Sequence, residues 1–115
     1  MIRKANECPV EHREQMRGGP GTVHITNFVN KEELYNKGRL FGKITLEPGC
    51  GIGFHIHENE EEIFNIIKGT AVYNDNGTEV TVTAGDVTIC GAGTGHGITN
   101  KSDETVELTA LIVLK

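Results

Sequence analysis

The chain has 115 residues, of which 37% are hydrophobic and 23% charged, a size and balance that suit one folded domain of roughly 100–150 residues rather than a disordered segment. A net charge of -5 weighs against a nucleic-acid backbone as partner, and no run approaches the roughly 20 apolar residues that a membrane span requires. Cys8, Cys50 and Cys90 are an odd number without a CxxC pair, which excludes a cysteine-built zinc site or a thioredoxin-type motif and leaves them as reduced, small apolar fillers.

Residues 1–22 read as an irregular arm, broken by Cys8-Pro9 and by Gly18-Gly19-Pro20-Gly21. The glycine run has neither the following helix nor the lysine of a phosphate loop, so it reads as a turn. The first residues lack the apolar core of a signal peptide, so a cytoplasmic location is expected by default. Val23 to Val29 alternates as a strand. Asn30 and Glu33 have capping-box spacing, and Gly38 is a helix stop, which predicts a short helix over Lys31 to Lys37.

From Leu40 onward the pattern is β. Leu40, Ile44 and Leu46 share a strand face, and Pro48-Gly49 marks a turn. Gly53 to His57 forms the next strand, followed by an acidic loop and then Ile63 to Ile67. Ala71 to Tyr73 and Val80 to Val82 flank Asn74-Asp75-Asn76-Gly77, a hairpin signal because Asn and Gly tolerate positive φ. Asp86 to Cys90, Gly97 to Asn100 and Thr105 to Leu114 complete the set. Short strands spaced by about 8–12 residues, with no helix between them, predict an all-β sandwich or closed barrel.

Strict alternation turns His55 and His57 to one side of their strand, with Ile52, Phe54 and Ile56 on the other. The last strand, VELTALIVL, is apolar on both faces towards its end. Such surfaces need cover, which points to a second sheet and, in a chain this short, to a homodimer.

His55 and His57 project together, Glu62 follows after a short loop, and the fold must bring in His96 from some forty residues on. Three neutral imidazoles and one carboxylate suit Mn, Fe, Co, Ni or Zn. In six-coordinate geometry they leave two adjacent positions for water or a chelating ligand. Cys50, Asn65 and Tyr73 could reach the pocket if their side chains face inward, and Cys50 and Cys90 lie close in sequence to these residues. Glu58, Glu60 and Glu61 are the nearby carboxylic acids available as proton donors.

The segment from Gly49 to Gly69 resembles the first cupin motif, with Gly49, His55, His57, Glu62 and Gly69 at matching spacings. Gly85, Gly93, His96 and Asn100 match the second motif, with Gly91 where that motif carries proline. Fifteen residues separate the two, as in small microbial cupins. The stretches MRGGPGT, GRLFGKITLEPGCGIGFHIHE, DNG and GHGITN are similar to those of single-domain cupins of the oxalate-decarboxylase-like type. The resemblance implies a cupin jelly-roll barrel (a double-stranded β-helix) spanning 1–115 as one domain, with an arm at 1–22, a short N-terminal helix and a core over 40–114. It also implies a site of His55, His57, Glu62 and His96 around one divalent metal, Mn2+ or Fe2+ before Zn2+, Ni2+ or Co2+, and a dimer that exchanges strands.

A metal with two open positions can polarise a carbonyl, hold a carboxylate chelate or, as iron, bind dioxygen. With no tryptophan and few aromatics, the chain suits a small polar acid or carbonyl compound. The expectation is a metal-dependent enzyme of the decarboxylase, lyase, isomerase or dioxygenase class. The alternatives are a non-catalytic binding or sensing module, and a structural barrel with a vestigial site.

Overall fold

A computed structural model describes residues 1–115, which form ten strands joined by turns. In chain order they are β1 Val10–Glu14, β2 Thr22–Asn27, β3 Gly38–Leu46, β4 Gly51–Ile56, β5 Glu60–Lys68, β6 Thr70–Asp75, β7 Thr78–Thr83, β8 Val87–Cys90, β9 Gly95–Thr99 and β10 Val106–Leu114. A six-stranded sheet in the order β1-β2-β3-β10-β5-β8 faces a four-stranded sheet in the order β4-β9-β6-β7. All strand pairs are antiparallel. This is the all-β jelly-roll expected from the sequence, and no helix is long and apolar enough to cross a membrane.

Strand alternation organises the interior into rows that run across the large sheet. Ile66, Leu108, Ile44 and Ile25 pair in register and all are buried. One step along lie Phe64, Ala110 and Gly42, and beyond them Glu62, Ile112 and Leu40. The small sheet adds Ile52, Ala71, Tyr73, Val82 and Ile98 from the other side. Removing each large aliphatic or aromatic side chain from water stabilises the fold by about 1.5–3 kcal/mol. The apolar rows fill one end of the barrel. Glu62 is the next inward position of β5 after Phe64, so it is buried where the apolar packing ends.

Three local expectations change. The arm contains β1, whose five residues are all exposed. With water on both faces, no apolar alternation marks it as a strand. The predicted helix shrinks to a single 3-10 turn, Glu32–Leu34. The reciprocal cap does form, with the Asn30 N–H on Glu33 Oε1 at 2.9 Å and the Glu33 N–H on Asn30 Oδ1 at 2.8 Å. Tyr35 and Asn36, at φ 54° and 56°, then turn the chain left-handed, and Gly38 opens β3 instead of ending a helix.

The third change is in β4. Ile52 pairs with Ile98 and His55 with His96, so three steps on β4 match two on β9. This bulge moves Ile52 to the inner face with the histidines and leaves only Phe54 and Ile56 outside. Gly53, within the bulge, lies against the 3-10 turn Met16–Gly18, where a Cβ would collide with the Arg17 carbonyl oxygen. Gly91, in the place of the motif's proline, caps a turn held another way: its carbonyl accepts the Thr94 N–H at 3.1 Å and the Thr94 hydroxyl at 2.7 Å.

Candidate metal centre

β4 and β9 pair His55 directly with His96, His57 continues the inward alternation, and β5 places Glu62 opposite them. The four donor atoms lie within 4.8 Å of one another. His57 Nε2 is 3.1 Å from His55 Nε2, 3.1 Å from His96 Nε2 and 2.9 Å from Glu62 Oε1, and His96 Nε2 is 3.0 Å from the same oxygen. Ligand bonds of about 2.1 Å at right angles separate neighbouring donors by about 3.0 Å, so these spacings match one ion bound at adjacent corners.

Each ring is fixed from behind through its other nitrogen. His55 Nδ1 donates to the Gly53 carbonyl at 2.8 Å, and His57 Nδ1 donates to Glu60 Oε2 at 2.6 Å. Both partners can only accept, so both Nδ1 atoms carry a proton, and in the neutral rings both Nε2 lone pairs face inward. His96 Nδ1 is 2.8 Å from the Tyr73 hydroxyl, and Phe64 stacks on the His96 ring with centroids 5.0 Å apart. Electron pairs from imidazole nitrogens and a carboxylate thus converge on one buried point. That donor set fits a divalent cation, which would remove their mutual repulsion, and metal-ligating histidines are generally held through such outer partners.

The protonation states agree with that picture. Hydrogen bonding to Glu62 raises His57 above its ordinary value despite its burial. Burial lowers His55, helped by the neighbouring rings and by Arg17. Burial alone would raise Glu62, but the facing His57 and His96 rings together hold it below the usual carboxylate range. Glu60 is held at about 2, chiefly by two bonds from Arg39 at 2.8 and 2.7 Å. It is therefore ionised and not a proton donor at neutral pH. Burial pushes Tyr73 up to about 12, so it stays a phenol.

Tyr73 touches the cluster from behind His96. None of the three pocket candidates lines the cavity beside the cluster: besides Tyr73, Cys50 lies in the β3–β4 turn with Sγ near the Pro48 carbonyl, and Asn65 is on the outward face of β5, its amide donating to the Asp86 carbonyl at 3.3 Å. Glu58 is exposed and Glu61 faces outward on β5. A cavity of about 210 Å³ opens from the histidines towards the arm. Its wall includes Glu11 and Arg13 of β1 and Arg17 of the turn that follows, a segment in which no apolar pattern marks a site.

The Cupin domain family model matches residues 42–113. The chain is 40% identical over 114 residues to an oxalate-binding protein of Thermotoga maritima, covering 99% of this chain and 94% of that one. It superimposes on the crystal structure of a predicted oxalate decarboxylase from the same organism with a TM-score of 0.95 at 39% identity, covering all of both chains. An uncharacterised conserved protein from Klebsiella pneumoniae with a double-stranded β-helix domain gives 0.74 at 21% identity over 98% of this chain and 89% of that one.

Two outcomes follow from the anchored rings. Tyr73→Phe leaves the His96 Nδ1–H without its acceptor and should weaken Mn2+ binding about tenfold in a competitive chelator titration. Protons compete for His57 from a raised pKa, so metal affinity should fall as pH drops towards and below about 6.5, with proton release on loading near neutral pH. Stoichiometric metal retained at pH 4 would contradict this assignment.

Proposed function

The chain belongs to the cupin family, and on that footing we propose that it binds a small carboxylic acid on a divalent metal held by His55, His57, Glu62 and His96. The observation that carries this reading is the cavity beside the cluster: it is about 210 Å³ and lined by Arg13, Arg17 and Arg39. A space that small suits a compact ligand, and an arginine-lined wall beside a cation favours an anion. Oxalate is the first acid to test, because a protein 40% identical to this one is described as oxalate-binding. Mn2+ or Fe2+ is the favoured ion, since oxygen-donor ligands on a mixed nitrogen and carboxylate site suit them.

Binding without turnover is favoured over catalysis because the nearby acids are committed. Glu62 faces the donor cluster and Glu60 is locked ionised between Arg39 and His57. One observation favours a second reading, a decarboxylase. Glu11 also lines the cavity, joined to the Asn27 amide at 3.1 Å, and a carboxyl group there is placed to deliver a proton.

The protein also acts, in this reading, as a homodimer through the outer face of its larger sheet. Phe41, Leu111, Ile63 and Ile89 are direct neighbours across β3, β10, β5 and β8, and Val87 and Ile89 on the edge strand are 58% and 62% exposed. A continuous apolar row ending at an unpaired strand edge is the kind of surface that a second copy covers.

Calorimetry with Mn2+-loaded protein should show one oxalate site per chain, absent in His96→Ala, with no formate or carbon dioxide formed. Product that disappears in Glu11→Gln would replace the binding reading with the decarboxylase one. Sedimentation should give a dimer that Ile63→Glu with Ile89→Glu converts to monomer, and a monomeric parent chain would refute the interface.

A further inference from the structure

The three arginines of the cavity are not equally committed. Arg39 is held by Glu60 through both of its bonds, at 2.8 and 2.7 Å. Arg13 shares the inward side of β1 with Glu11, 3.9 Å away. Arg17 lines the same cavity without an ion pair or a side-chain hydrogen bond. It is the one arginine of the cavity with no carboxylate beside it.

The backbone around it is unusual. Gln15 and Arg17 are left-handed at φ 48° and 53°, followed by Gly18 at 79°. Non-glycine residues stay in that region only where the surroundings fix them. Here they are fixed by the Gln15 N–H on the Gly21 carbonyl at 2.8 Å, the Gly19 N–H on the Met16 carbonyl at 2.9 Å and the Gly51 N–H on the Pro20 carbonyl at 2.9 Å. The Arg17 carbonyl itself fills the space left by the missing side chain of Gly53, two residues before His55. The turn that presents this guanidinium is therefore fastened to the strand that carries His55 and leads into His57.

Charge accounting then selects a ligand class. A divalent ion with Glu62 and three neutral imidazoles carries one net positive charge. Arg39 is paired with Glu60 and Arg13 faces Glu11 at 3.9 Å, while Arg17 adds a second positive charge with no carboxylate paired to it. A dianion neutralises the site, and a monocarboxylate leaves it half-balanced.

We propose that Arg17 is the specificity-determining anchor of this site, its guanidinium taking the carboxylate oxygens that point away from the metal and so selecting small dianionic dicarboxylates over monocarboxylates. The proposal rests on the metal-dependent carboxylate binding proposed above. Arginine suits the role because its planar fork matches a carboxylate with two parallel bonds, which a lysine does not reproduce.

The test uses full-length chain loaded with Mn2+, with oxalate and formate as probes in calorimetry, and metal content measured after desalting. Arg17→Gln should weaken oxalate about thirtyfold, shift formate by less than about threefold and leave Mn2+ content unchanged. Arg17→Lys, which keeps the charge but loses the fork, should fall between the two. If Arg17→Gln lowers the melting temperature, Arg17→Lys carries the test alone through the same oxalate-to-formate ratio. An oxalate affinity within about twofold of the parent in both variants overturns the anchor and leaves carboxylate binding standing. Equal weakening of formate and oxalate also overturns it, since that marks a general field rather than a contact. Absence of oxalate binding in the parent overturns both readings.

Discussion

The site depends on holding electron-pair donors at one point where only a positive charge makes their proximity favourable. Glu62 is 5% exposed and His96 fully buried, and a carboxylate so far from water is costly unless it is paired. The barrel does not relieve that cost by letting the groups rotate away. The Gly53 carbonyl, the Glu60 carboxylate and the Tyr73 hydroxyl hold the rings from behind. Arg39 in turn holds Glu60. Rotation of His57 to relieve crowding in front would break its bond behind, leaving a buried polar group without a partner. A divalent ion would supply positive charge to all four donors at once.

This rigidity is inherited from strand register. Direct pairing of His55 with His96 across β4 and β9 sets their spacing. Glu62 enters from the opposite sheet because it is one alternation beyond Phe64, whose ring also stacks on His96. The apolar core and the polar cluster are thus consecutive positions on the same strands. A slip of one residue in β5 would exchange Glu62 for Ile63 and turn Phe64 out of the core at the same time. The stability of the apolar rows therefore enforces the geometry of the site.

Much of this was legible in the chain. The HxH pair, Glu62 and His96 stand at motif spacings, and the motif glycines Gly49, Gly69, Gly85 and Gly93 all take positive φ at strand ends, so the two motifs encode turns as well as cluster residues. Asn100, the last motif position, is a buried brace: its amide donates to the Leu46 and Glu104 carbonyls, and its oxygen accepts from Ser102. What escaped was everything without a periodic signal. The β4 bulge is invisible to alternation, so Ile52 was given the wrong face. β1 has water on both sides and no hydrophobic pattern to read. Glu60 reads as one more acid of the loop that precedes β5, and only the fold reveals that it faces inward to His57 and Arg39. The Asn30–Glu33 cap was read correctly, yet a cap starts a turn without setting its length, and Tyr35 and Asn36 ended this one early.

The arm and the cluster are coupled through the same backbone. Gly53 accepts the His55 Nδ1–H with its carbonyl and makes room for the Arg17 carbonyl with its bare Cα. Order in the arm and orientation of His55 are therefore two consequences of one local conformation. Any ion that fixes His55 favours the bulge, and the bulge favours the docked arm. By linkage, anything that holds the arm in place must favour the ion to the same degree. A ligand touching both sides of the cavity would draw on that coupling. The exposed segment that alternation could not detect is thus packed against the strand that orients His55.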